Sequence, residues 1–171
     1  EGMIFLYVGS ASGLQTVASW SKDGNEASAL FGMALRGAGD VNGDGYSDIA
    51  VGSGYIDNGV TDQGEAWVYL GSSLGVAATS AWTKTGGQVS GLYGSAMSTV
   101  GDVNGDGYSD LIVAADAYDN GQTDEGQAYV YMGSGSGLAT TAAFTFESNQ
   151  ATAYVNWVSA AGDVNGDGYG D

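Results

Sequence analysis

The chain has 171 residues and a formal charge of −17, from 20 acidic side chains against only Lys22, Arg36 and Lys84. Such a surface repels phosphate backbones and anionic headgroups, which excludes nucleic acid as a partner and argues against direct membrane insertion. With no cysteine and no histidine, disulfide frameworks, thiol chemistry and the usual nucleophile–base pairs are also excluded. A hydrophobic share of 43% against 13% charged residues nevertheless supports a packed core rather than disorder. The chain opens at Glu1 without a methionine, a leader pattern or a run of about 18 apolar residues, so a processed or truncated N-terminus is expected.

The first element expected is a strand over Glu1–Gly9, in which aromatic and aliphatic residues alternate before a Gly-Ser turn. A second strand follows around Trp20. Phe31-Gly32 then opens a strand of small residues, Met33 to Gly39, suited to a crowded innermost position. From Gly39 the sequence reads G-D-V-N-G-D-G-Y-S-D, with oxygen-bearing side chains at Asp40, Asn42, Asp44 and Asp48. Carboxylates at this density repel one another unless a hard cation lies among them, and Ca²⁺ takes about 6–8 oxygens. The Tyr46 carbonyl is the expected ligand at the seventh position. The apolar run Ile49-Ala50-Val51 predicts a strand. The segment Tyr55 to Gly64 predicts a long turn in which Asp57 and Asp62 serve the turn itself rather than a second metal.

The whole pattern then recurs. Tyr7, Tyr69 and Tyr131 follow one another at a constant interval, and Trp20, Trp82 and Phe144 keep the same interval. These aromatics are read as packing between neighbouring sheets rather than as a ligand platform, because every unit carries one. Asp119 and Asp124 repeat the long turn. Asp102 restarts the acidic loop one full interval after Asp40, and Asp163 restarts it again after an interval shorter by a single position. One acidic glycine-rich loop could be a plain turn; three at near-constant spacing point to metal. An EF-hand needs a carboxylate at position 12 and a helix afterwards. Position 12 is Val51 and Val113, and short β-branched runs follow, so strands are expected instead. The loops lie far apart in sequence and are expected to bind independently.

With Phe31-Gly32, Tyr93-Gly94 and the three acidic loops, the chain resembles FG-GAP repeats, the units of the integrin α-subunit propeller and of many secreted bacterial proteins. The resemblance implies an all-β fold of four-stranded antiparallel β-propeller blades, here a partial ring of about 2.75 repeats, where closure takes about 4–8 blades. Its domain plan is an incomplete blade over 1–30, complete blades over 31–92 and 93–153, and the first strand and loop of a further blade over 154–171. It also implies three calcium ions, about one per loop. Their ligands would be Asp40, Asn42, Asp44, Tyr46 and Asp48; Asp102, Asn104, Asp106, Tyr108 and Asp110; and Asp163, Asn165, Asp167, Tyr169 and Asp171. The third FG element departs from the pattern and is aligned with Tyr154-Val155.

The expected function is a secreted or cell-surface calcium-binding scaffold for adhesion, holding an extracellular protein or glycan and non-catalytic in this segment. The alternatives are a propeller module of a secreted hydrolase or lyase, and a filament-forming surface protein. Its expected structural partner is the remainder of its own propeller or another copy, since incomplete blades expose strand edges.

Overall fold

The computed structural model describes residues 1–171. The chain forms no helix, as the short alternating runs and frequent glycine turns require. The strands in chain order are β1 (Met3–Leu6), β2 (Gly9–Ser10), β3 (Gly13–Leu14), β4 (Trp20–Asp23), β5 (Ala34–Gly39) and β6 (Asp48–Ser53). They continue with β7 (Glu65–Tyr69), β8 (Trp82–Thr85), β9 (Tyr93–Gly101), β10 (Asp110–Ala115), β11 (Gln127–Tyr131) and β12 (Phe144–Glu147).

Two complete blades result, with strand orders β5-β6-β7-β8 and β9-β10-β11-β12, every neighbouring pair antiparallel. Ahead of them, β1 and β4 pair as the outer half of another blade, and β2 and β3 form a small separate hairpin within the link that joins them. The sheets do not close into a ring. Meandering antiparallel order puts the acidic loop, between the first and second strands, at the same end of the blade as the Gly-Ser turn between the third and fourth. The long turn over 54–64 and its counterpart over 116–126 lie at the opposite end.

The blades pack face to face, and the repeated aromatics fill the joints. Trp20 meets Tyr69 edge-on at 5.4 Å, and Trp82 meets Tyr131 in the same way at 5.0 Å. Phe31 with Trp67 and Tyr93 with Tyr129 make a second repeated pair, at 5.2 and 5.5 Å. Each such ring pair contributes about 0.5–1.5 kcal/mol beyond its buried area. The packing role expected for Trp20 and Trp82 is therefore observed. Phe144, which meets no following blade, is exposed.

Backbone hydrogen bonds stitch the same joints. At the long-turn end, Leu92 N–H donates to Asp62 C=O at 3.2 Å and Tyr93 N–H to Gln63 C=O at 3.0 Å. Gly94 has φ +80°, and a Cβ there would stand 2.6 Å from the Glu65 carbonyl oxygen, so the glycine of this Tyr-Gly pair permits the close approach of two blades.

The structure corrects the alignment of the third FG element. Tyr154 N–H donates to Asp124 C=O at 3.1 Å, which is the bond Leu92 makes one blade earlier. Tyr154 also has φ +52°, close to the +55° of Leu92. Tyr154 thus takes the place of Leu92, and Val155-Asn156 stands where Tyr93-Gly94 stands, with the one-residue shortening lying between them and Asp163. The first strand expected in 154–171 is also not formed: residues 154–161 run without strand pairing, because no second strand lies alongside them to complete a ladder.

Inside the second joint the Tyr93 hydroxyl donates to the Tyr131 hydroxyl at 2.9 Å, and both rings are fully buried. Burial pushes both phenols up, Tyr93 well above the usual value of 10.0. Replacing Tyr131 with Phe leaves a buried hydroxyl without its partner, and a loss of about 1–3 kcal/mol is expected on denaturant unfolding. Converting Tyr93 to Phe as well should recover part of that loss; a further additive loss would show that the pair is not coupled.

Candidate metal-binding loops

Each acidic loop wraps around its first aspartate. In the first loop Asp40 Oδ1 accepts from the N–H groups of Gly43 and Asp44 at 2.7 and 3.1 Å, and Oδ2 accepts from Gly45 N–H at 2.7 Å. Tyr46 N–H donates to Asp44 Oδ1 at 3.0 Å. The same bonds recur around Asp102, at 2.6, 3.0 and 2.7 Å with 3.0 Å for the tyrosine amide. Around Asp163 they measure 2.7, 3.0, 2.8 and 3.0 Å. Gly43 and Gly45 sit at φ +74° and +87°, which lets the chain turn tightly enough to aim three amides at one carboxylate.

The ninth-position aspartate does different work. Asp48 is buried, and its Oδ2 accepts from Val41 N–H at 2.9 Å while Oδ1 accepts from Gly71 N–H at 2.8 Å. It closes the loop and ties it to the turn after β7. Asp110 repeats this with Val103 and Gly133 at 2.9 and 2.8 Å. Asp171 has the loop-closing bond alone, from Val164 N–H at 2.9 Å.

These surroundings drive the carboxyls apart. At Asp40 and Asp102 burial acts to raise the pKa, but the converging backbone N–H groups outweigh it and hold both below the ordinary 3.8. Asp163 is lowered by the N–H of Gly168 first, with Gly166 and Asp167 adding to it. Asp48 and Asp110 are raised, by burial first and then by the neighbouring aspartates, despite two amide donors each.

The residues expected as ligands therefore lie together in three compact loops, yet no three acidic side chains gather closely enough to hold a metal ion unaided. The carboxylates are turned onto backbone N–H groups. Within that arrangement Asn42 Nδ2 donates to Asp44 Oδ2 at 2.9 Å, and Asn104 and Asn165 do the same to their aspartates at 2.9 and 3.0 Å. In each loop a polarised N–H thus occupies a place between side-chain oxygens that suits a cation. The donor set is oxygen throughout, and each carboxylate keeps at least one oxygen with a free lone pair. The residues present fit a hard cation such as Ca²⁺.

The loops touch one another although they lie far apart in sequence. Ser109 N–H of the second loop donates to Asp40 C=O of the first at 2.9 Å, and Gly170 N–H of the third to Asp102 C=O at 2.8 Å. A Cβ on Gly43 would stand 2.5 Å from the Tyr108 ring, and one on Gly105 would meet Tyr169 at the same distance. The seventh-position tyrosine of each loop thus lies on the fourth-position glycine of the loop before it. Spacing within one loop predicts only a carbonyl role for these tyrosines. Their regular placement two positions before the buried aspartate is the signal in the sequence for the side-chain role.

Fold and loops together define a protein built of propeller blades that each carry an oxygen-rich loop. The FG-GAP repeat model matches residues 31–69 and 93–131, which are the two complete blades up to their third strands. The chain is 33% identical over 153 residues to phosphatidylinositol-glycan-specific phospholipase D of Rattus norvegicus, covering 84% of this chain and 18% of the relative. It is 32% identical over 157 residues to integrin alpha-IIb of Mus musculus (86% and 15%) and 26% identical over 180 residues to integrin alpha-V of Gallus gallus (99% and 16%). Both blades match the FG-GAP repeat model, and these matches together support an FG-GAP, integrin-alpha-like likeness. The chain spans less than a fifth of the length of these relatives.

Replacing Asp110 with Asn puts an amide NH₂ against the N–H of Val103 or Gly133, so a loss of about 1–3 kcal/mol in metal-free stability is expected. The pH dependence follows from the signs of the shifts. Stability from the raised Asp48 and Asp110 is full below their unfolded pKa and is lost as pH rises through the folded one. Stability from the lowered Asp40 and Asp102 is present above the ordinary 3.8 and is lost as pH falls through the folded value. Removing Asp110 should make metal-free stability rise more steeply with pH across this range, as read by unfolding at pH values on either side of the ordinary carboxyl pKa.

Proposed function

We propose that this chain is part of a calcium-binding extracellular β-propeller scaffold whose surface holds a protein or glycan, with no catalytic role in this segment. The observation that carries the reading is the threefold repetition of one oxygen-rich loop with one hydrogen-bonding pattern. Calcium bound there would take up the oxygen lone pairs that the backbone N–H groups leave free. Open loops of this sort bind weakly, on the order of 10⁻⁴–10⁻³ M, which suits the calcium level outside cells. Similarity to integrin alpha chains supports a binding role; similarity to a phospholipase D supports a second reading, a propeller module attached to an enzyme. The absence of histidine and cysteine and the scarcity of basic side chains favour a non-catalytic segment in either case.

Calcium should raise the thermal midpoint of this chain, and chelation should lower it, by RT ln(1 + [L]/Kd) per site. An unchanged midpoint after demonstrated removal of the metal sinks the reading. Substitution of Asp106 with Ala should weaken the second loop most. It should also weaken the first, because Asp106 Oδ1 holds Tyr108 N–H and Tyr108 lies on Gly43. Calorimetric titration showing loss at the second loop alone would refute the coupling.

A further inference from the structure

The long turns at the end of the blades away from the acidic loops are built on one plan, and the stretch from Asp57 to Gly64 differs from that from Asp119 to Gly126 in two positions. In the first blade Val60 and Gln63 stand where the second blade has Gln122 and Glu125. Gln63 satisfies itself: Nε2 donates to the carbonyls of Asp57 and Asn58 at 3.0 and 2.7 Å, and Oε1 accepts from Gly87 N–H at 2.9 Å. Glu125 is fully buried at the same place. Its Oε1 accepts from the N–H groups of Asn120 and Gln122 at 2.6 and 3.3 Å, which aims the carboxyl into the turn. Its Oε2 has no partner, and neither does the buried Oε1 of Gln122.

Where the first blade places an amide N–H₂ against two backbone carbonyls, the second places a carboxyl oxygen against two backbone N–H groups. The locus has lost its donor and gained acceptors. A buried carboxylate oxygen without a partner is unfavourable unless a hydrogen-bond donor or a positive group meets it. No basic side chain does so, since Lys22, Lys84 and Arg36 donate to the carbonyls of Ala78, Thr140 and Leu35. Asp124, the residue before Glu125, adds a further carboxylate to the turn, and its Oδ2 accepts from the Tyr154 hydroxyl at 3.3 Å.

We propose that the turn from Tyr118 to Gly126 holds a hard divalent cation of its own, with Glu125 Oε2 and Gln122 Oε1 as side-chain ligands, separate from the three acidic loops. An oxygen-only donor set with one buried carboxylate suits Ca²⁺ over softer metals. The site belongs to the second blade alone, because Val60 and Gln63 supply the first with a hydrocarbon and a self-satisfied amide.

The test is the number of calcium ions retained per chain at saturation, by equilibrium dialysis and elemental analysis. Glu125→Gln should retain one fewer ion than the unaltered chain. A double substitution, Gln122→Val with Glu125→Gln, installs the pair that already folds in the first blade and should give the same loss. Equal counts in all three proteins overturn the proposal and assign the carboxyl a proton or a buried water. The difference between proteins reports this site, whereas the absolute count reports the acidic loops, so failure of one reading is distinguishable from failure of the other.

Discussion

The architecture depends on one buried carboxylate per blade. Asp48, and Asp110 after it, accepts one N–H from the start of its own loop and one from the turn after the third strand. A carboxylate is the one side chain that can accept two such bonds with full charge assistance. Without it the inner hairpin and the outer hairpin of a blade would meet only through their ladder. With it, the acidic loop has a fixed position over the end of the sheet. Everything the loop then does, from gathering oxygens to touching the next loop, starts from that anchor.

The anchor also divides the labour among residues that look alike in sequence. The first aspartate is wrapped by amides and stays ionised easily; the ninth is buried and resists ionisation. An ion entering the loop would meet both kinds of carboxylate, one already charged and one whose charge it would help to sustain. Calcium sites draw affinity from such an arrangement, since ligand charge and loop rigidity together set it.

Much of this is legible in the residues. Period-two alternation in Glu65–Tyr69 and the β-branched run after each loop point to the strands, and the constant interval between recurring tyrosines and tryptophans points to the blades. Relations between units are not legible in the same way. Contact between Tyr108 and Gly43 joins residues of different repeats, and nothing in the linear spacing of either motif announces it. The third FG element misleads for a related reason. Counting back from Asp163 aligns Tyr154 with Tyr93, but the single missing residue lies nearer the loop, so the hydrogen bond to Asp124 places Tyr154 one step earlier. The unpaired run over 154–161 shows the same dependence on context, because extended sequence becomes a strand only beside another.

The stitching between blades has a mechanical side. Backbone bonds cross the joint at both of its ends, from Ser109 to Asp40 at one and from Leu92 to Asp62 at the other, while the rings of Trp82 and Tyr131 fill the space between them. Opening the joint like a hinge at either end must stretch bonds there and compress rings in the middle. The angle between successive blades is therefore held by main-chain geometry, and the array behaves as a stiff arc with a preset curvature. A load applied to one blade would pass to the next as a rigid turn of the whole, with little bending at the seam.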